Sequence, residues 1–170
     1  MAAQLYSTES GRLFHAGAIA IINVGLPARG KTHGSRSLVR YMTWLGVKSR
    51  HFGVGEYRRR IYGPVVSADY FDPENRTTEE LRHKANEQCF QDLICFLTEQ
   101  GGQVGIYDAS NLVAAERRRL YDRLCKIGIR PMFIEYICDK QEVVEDNIRK
   151  VKVTSPDYVE WGKDKAFEDF

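Results

Sequence analysis

The chain has 170 residues, 43% hydrophobic and 28% charged, which suits one globular domain of α/β composition with a substantial core. Its formal net charge of +2 is too small to point to nucleic acid or a membrane surface, and no apolar run reaches the span of a bilayer. The four cysteines, Cys89, Cys95, Cys125 and Cys138, form no C-x-x-C pair and have no histidine at zinc-ligand spacing, so reduced thiols in the cytosol are expected.

Residues 1–17, MAAQLYSTESGRLFHAG, contain no apolar core of signal-peptide length and read as a loose leader to a cytoplasmic domain at 18–170. The apolar run AIAIINV, Ala18 to Val24, predicts a first strand. Directly after it stands GLPARGKT, from Gly25 through Leu26, Pro27, Ala28, Arg29, Gly30 and Lys31 to Thr32, a phosphate-binding loop of the G-x-x-x-x-G-K-[ST] type. Gly25 and Gly30 allow the backbone N–H groups to turn inward around phosphate oxygens. Lys31 would place a cation on the outer phosphates, and Thr32 would offer a hydroxyl to Mg²⁺ where the helix N-terminus adds positive potential.

HGSRSLVRYMTWLG continues as a helix with Leu38, Tyr41, Met42 and Leu45 at helical spacing and Gly46 placed to end it. Val47 to Gly55 reads as a second strand whose exit carries Arg58, Arg59 and Arg60. Such a triplet is either a solvated helix face or, at the carboxyl end of a strand, a fork for an anionic second substrate. Pro64 to Asn75 reads as a surface loop, and a long helix follows, capped by Thr77 or Thr78 and stopped by Gly101 and Gly102. Its buried side is expected to hold Leu81, Ala85, Cys89, Leu93 and Phe96, with Cys95 also in the core.

In QVGIYDASN, Asp108 closes an apolar run, the position of a magnesium-associated aspartate, although helix caps and turns use the same residue. Ala115 to Gly128 predicts a basic amphipathic helix with Leu120 and Leu124 inward. RPMFIEYIC is a fourth strand, and DKQEVVEDNIRKVK a helix capped by Asp139 with Val143 and Val144 inward. The tail breaks at Pro156 and resumes as a short helix after Gly162. Strand, loop, helix and strand in this order imply right-handed parallel crossovers and a three-layer α/β/α phosphate-loop kinase-like domain with a mainly parallel sheet.

GLPARGKT, RYMTWLGV, GVGEYRRR, DYFDPEN, YDASN, FIEYICD and NIRKVKVTSPDY, in this order, resemble the kinase domain of the 6-phosphofructo-2-kinase/fructose-2,6-bisphosphatase family from about Ala18 to Phe170. The resemblance implies transfer of the γ-phosphoryl of ATP to the 2-hydroxyl of fructose 6-phosphate, with Mg²⁺. It assigns Gly25 to Thr32 and the segment Asn147 to Lys152 to ATP, Arg58, Arg82, Ser110 and Lys152 to the sugar phosphate, and Asp108 and Cys138 to the active site. Lys31 and Lys152 would stabilise the transferring group, and Thr32 and Asp108 would meet the metal. Asp108 is left between magnesium and the attacking hydroxyl, and Cys138 is read as structural or redox-sensitive. Arg117 is the matching arginine of the next helix, with Arg118 as the alternative.

Ser110 replaces a threonine usual in the family, His33 a tyrosine and Gly53 an asparagine. No R-H-G phosphatase motif occurs, so bisphosphatase activity is not expected, and the family's kinase domain continues beyond the point matched by Phe170. The remaining readings are a phosphate-loop kinase for another small substrate, a catalytically silent nucleotide-binding module, and, ranked last, a polynucleotide kinase using the arginine clusters. No nucleic-acid or membrane partner is expected; a homodimer stays open.

Overall fold

In a computed structural model, residues 17–63 and 75–152 are described. The elements are β1 (Ile19–Val24), α1 (Lys31–Trp44), β2 (Ser49–Gly53), α2 (Val54–Tyr62), α3 (Arg76–Thr98), β3 (Val104–Asp108), α4 (Ala114–Lys126), β4 (Arg130–Glu135) and α5 (Gln141–Asn147), followed by a π-helical turn, Ile148–Lys152. The four strands are all parallel, in the order β2-β3-β1-β4. Parallel neighbours cannot be joined by tight turns, so helices carry each connection. This is the α/β sheet with flanking helices that the sequence predicts. The leader through residue 16, most of the Pro64 to Asn75 loop, and the break at Pro156 with the helix after Gly162 lie outside the described residues.

The central strands β1 and β3 are covered on both faces, which is why their sequences are continuous apolar runs rather than alternating ones. The two-residue period of a strand then splits them. Ala20 and Ile22 of β1, Phe52 of β2 and Tyr107 of β3 join Cys89, Phe90, Leu93, Phe96 and Leu97 of α3 and Leu120 and Leu124 of α4 in one cluster. Ile19, Ile21, Val104 and Ile106 turn the other way, towards Leu38, Val39, Met42 and Leu45 around α1. Full burial of each large aliphatic or aromatic side chain favours the fold by roughly 1.5–3 kcal/mol. Phe90 and Tyr107 meet edge to face, with ring centroids 5.5 Å apart.

Several local expectations are corrected. The second strand stops at Gly53, and Val54 and Gly55 already belong to α2, so the arginine triplet rides on a helix. Arg58 is nonetheless buried, while Arg60 is exposed and lies 4.8 Å from the Tyr57 ring. The cap of α3 is Asn75, whose Oδ1 accepts from the Thr78 N–H at 3.4 Å, and not Thr77 or Thr78. Tyr41 sits at the edge of the stripe set by Leu38, Met42 and Leu45, and turns out to pair with Trp44 at 6.1 Å. Cys95 lies on the flank of α3, half-exposed, with its thiol 3.4 Å from Glu99 Oε2. On the seven-residue α5, adjacent valines point about 100° apart, so Val144 is buried and Val143 exposed. That helix begins after Lys140, one residue later than an Asp139 cap requires.

Candidate functional site

The site grows out of the carboxyl ends of β1 and β3, where an open α/β sheet presents its loops. The chain leaves β1 at Val24 and turns through Gly25, whose φ is +140°. A Cβ at that position would stand 2.6 Å from the Tyr136 carbonyl oxygen, so only glycine fits under the segment that follows β4. Gly30, at φ +86°, is the residue before the first turn of α1. Ala28 also adopts a positive φ, +59°, uncommon for a residue with a Cβ. Its carbonyl is held by Asn147 Nδ2 at 3.0 Å, which brings α5 onto the loop.

Lys31 Nζ donates to the carbonyls of Gly25 at 2.8 Å and Leu26 at 2.7 Å, so its ammonium curls over the loop. The N–H of Gly25 donates to the Ser110 carbonyl at 3.0 Å, and Asn111 Nδ2 donates to the Asn23 carbonyl at 2.7 Å. Arg117 Nη1 reaches back from α4 to the carbonyls of Asn111 at 2.9 Å and Leu112 at 2.7 Å. The β3–α4 connection is thereby tied to the phosphate loop on one side and to α4 on the other.

Beneath the loop, a polar network occupies the α1 face of the sheet, where the strand period places Asn23, His51 and Asp108. Thr32 Oγ1 donates to Asp108 Oδ2 at 2.6 Å, His51 Nε2 lies 3.0 Å from the same oxygen, and Asn23 Nδ2 donates to Oδ1 at 3.0 Å. Asn23 is fully buried and also donates to Ser35 Oγ at 2.6 Å; Ser35 in turn donates to the Lys31 carbonyl at 2.8 Å. Burial pushes the Tyr136 phenol above its ordinary range. Burial alone would raise the Asp108 carboxyl, but hydrogen bonds from His51, Thr32 and Asn23 more than offset it and hold the group below the usual carboxylate range. Asp108 is a committed anion in this setting.

The structure thus brings together Gly25 to Thr32, Asp108, Ser110, Arg117 and Asn147. Arg118, the alternative to Arg117, faces solvent and pairs with Asp122 at 3.1 Å. Arg58 and Arg82 stand on α2 and α3, which pack on each other, with Arg82 Nη1 donating to Thr78 Oγ1 at 3.0 Å. Cys138 is half-buried in the stretch after β4, and Lys152 closes the π-helical turn, its side chain outside the described residues. Asn23, Ser35, His51 and Tyr136 were not legible as site residues. Only Asn23 left a signal, a lone amide inside an apolar strand.

A parallel sheet with a phosphate loop leading into α1 and an aspartate at the end of the neighbouring strand defines a phosphate-loop kinase fold. Solved structures agree at this level: Mycobacterium tuberculosis APS kinase CysC superposes with TM-score 0.53 at 11% identity, covering 77% of this chain and 93% of that one. A putative kinase from Chloroflexus aurantiacus gives TM-score 0.55 at 20% identity over 79% and 66%. The chain belongs to the 6-phosphofructo-2-kinase family, which it matches over residues 6–170. Human 6-phosphofructo-2-kinase/fructose-2,6-bisphosphatase 4 is 41% identical over 150 residues, 88% of this chain and 32% of the relative. The rat protein of the same name is 38% identical over 166 residues, 98% and 35%. A Saccharomyces cerevisiae fructose-2,6-bisphosphatase is 38% identical over 141 residues, 82% and 31%. The chain spans about a third of the length of these curated relatives. Among the described residues, no helix is long and apolar enough to cross a membrane.

Proposed function

We propose that the chain transfers the γ-phosphoryl of ATP to the 2-hydroxyl of fructose 6-phosphate, giving fructose 2,6-bisphosphate. The observation that carries this reading beyond family membership is the 2.6 Å contact from Thr32 to the anionic Asp108 at the mouth of a glycine-shaped loop. Thr32 and Asp108 are hard oxygen donors, and a site with so few protein ligands fits Mg²⁺, which keeps several waters and takes phosphate oxygens as well. Bound there, Mg²⁺ would supply positive charge to the bridging phosphates.

Phosphoryl transfer is largely positioning and charge stabilisation, so the roles divide by place. The backbone N–H groups of Leu26 and of Ala28 to Gly30 would face the phosphates, since Pro27 has none and that of Gly25 is given to Ser110, while Asn147 holds the strained Ala28 carbonyl in shape. Lys31 exchanges its two carbonyl partners for phosphate oxygens, a modest movement because those carbonyls form the loop itself. Asp108, held below the ordinary carboxylate range, is a poor proton acceptor for a sugar hydroxyl and is better suited to the cation side of the site. Arg58, Arg82, Arg117, Ser110 and Lys152 would hold the sugar phosphate, and Cys138 has no step in this chemistry. Arg117 is favoured over Arg118 because its guanidinium already reaches back to the β3–α4 connection that carries Ser110.

The test is direct detection of fructose 2,6-bisphosphate from the purified chain with Mg-ATP and fructose 6-phosphate. Product that falls by at least about 10²-fold in Lys31→Met, with an unchanged melting temperature, supports the assignment. ATP binding without product would favour a silent nucleotide-binding module, and turnover insensitive to Lys31→Met would overturn the site. Arg58→Ala is expected to raise the KM for the sugar phosphate more than that for ATP; equal effects would count against its role.

A further inference from the structure

We infer that His51 is a positioning residue of this site, holding the Asp108 carboxylate in the orientation that aims the Thr32 hydroxyl at its ligand. The inference rests on the kinase reading above. In β2 the two-residue period puts Ser49, His51 and Gly53 on the α1 face, and the register sets His51 beside Ile106 and Gly53 beside Asp108. The His51 side chain, only 10% exposed, therefore leans two residues along the sheet to bring Nε2 within 3.0 Å of Asp108 Oδ2. An ionised carboxylate only accepts hydrogen bonds, so the nitrogen facing it carries the proton and donates.

Gly53 makes room for that ring. A Cβ at Gly53 would stand 2.8 Å from His51 Cε1, closer than such atoms come, so a side chain there would displace the imidazole from its observed place. The two positions form one device, in which β2 gives up a side chain beside Asp108 and the histidine two residues earlier fills the space.

The consequence runs through three hydroxyl and carboxylate atoms. Thr32 has a single O–H and uses it on Asp108 Oδ2, which turns its lone pairs to the open side of the loop. His51 donates to that same Oδ2 from β2, and Asn23 donates to Oδ1 from β1. Donors from three elements therefore fix the carboxylate plane. Without His51, Oδ2 keeps only the threonine it is meant to orient, and Asn23 on Oδ1 is left as the one other donor holding the carboxylate plane.

The inference is tested by calorimetric titration of ATP into the 170-residue chain with and without Mg²⁺. His51→Leu is expected to reduce the Mg²⁺-dependent gain in ATP affinity by about tenfold while metal-free affinity is kept, as loss of a partner behind a metal ligand does elsewhere. His51→Gln, whose amide nitrogen reaches the place of Nε2, should restore most of the gain. Gly53→Ala should reproduce the loss when His51 is present and add nothing to His51→Leu, and it decides the matter with His51→Gln where His51→Leu does not fold. A Mg²⁺ gain equal to the parent's in His51→Leu, or in Gly53→Ala where His51→Leu does not fold, would overturn the positioning role and leave the kinase reading intact. A parent chain that binds ATP with no gain from Mg²⁺ would overturn the kinase reading and this inference with it.

Discussion

The two faces of the sheet are made from the same four strands and do opposite work. Towards α3 and α4 the centre of the face is apolar, with Phe52, Phe90, Leu93 and Leu124 each almost fully buried and Arg50 lying over the Phe52 ring at its edge. Towards α1 it is apolar only in its lower part, around Ile21 and Ile106, and at the carboxyl ends of the strands it becomes the Asn23, His51, Asp108, Thr32 and Ser35 network. A buried polar group is costly unless it is paired, so this end of the α1 face is held by specific geometry where the other face is held by bulk. Stability is concentrated on the one side, and the loop that gathers phosphate is supported by the other.

Substitutions that separate the faces sharpen this division. The largest effect is expected on the apolar side: Leu93→Ala should lower unfolding free energy by about 2–5 kcal/mol in denaturant titration, with phosphate-loop binding unchanged per folded molecule. A change in ATP affinity as large as the change in stability would break the division.

Asp108→Asn reverses the pattern. Three donors would face an amide that accepts on one atom only, and about 1–3 kcal/mol should be lost at neutral pH together with Mg²⁺-dependent ATP binding. Because the folded carboxyl lies below its unfolded value, its contribution is present above about pH 4 and disappears as pH falls through the folded value. Parent and variant should therefore converge in acid, and a gap that stays constant with pH would contradict the ionised assignment.

The smallest effect belongs to the rim of the apolar face. Arg123 holds Glu87 through two hydrogen bonds, at 2.8 and 2.6 Å, and these, helped by a bond from the Gln91 amide and opposed by burial, bring the Glu87 carboxyl from 4.5 to about 2. The pair is about a third exposed, so its worth is discounted to under about 1 kcal/mol. That contribution is present above about pH 4.5 and lost as pH falls towards 2. Glu87→Gln should flatten the stability profile across that window and leave ATP affinity alone; a profile of unchanged slope would remove Glu87 from the account.

Local signals carried much of this chain. Ala18 to Val24 and GLPARGKT located β1, the phosphate loop and the start of α1, because a strand, a glycine-permitted turn and a helix onset are each set within a few residues. The spacing of Ala85, Cys89, Leu93 and Phe96 located the buried face of α3 for the same reason. Where two choices were equally local, sequence decided poorly: Asn75 rather than a threonine caps α3, and of two adjacent valines Val144 alone turns inward. The burial of Arg58 beside its exposed neighbour Arg60 depends on how α2 settles against α3.

The sequence by itself determined the parallel α/β class, the phosphate loop and an aspartate at the end of the strand beside it, since these depend on periodicity and on residues adjacent along the chain. Only the tertiary structure decided that Asn23, His51 and Asp108, from three strands, share one buried face with Thr32 and Ser35, and that Asn147 reaches Ala28. Hydrogen bonding requires atoms to meet within about 3 Å, and strand order and register, which bring distant stretches of chain to that range, are set by the packing of the whole sheet.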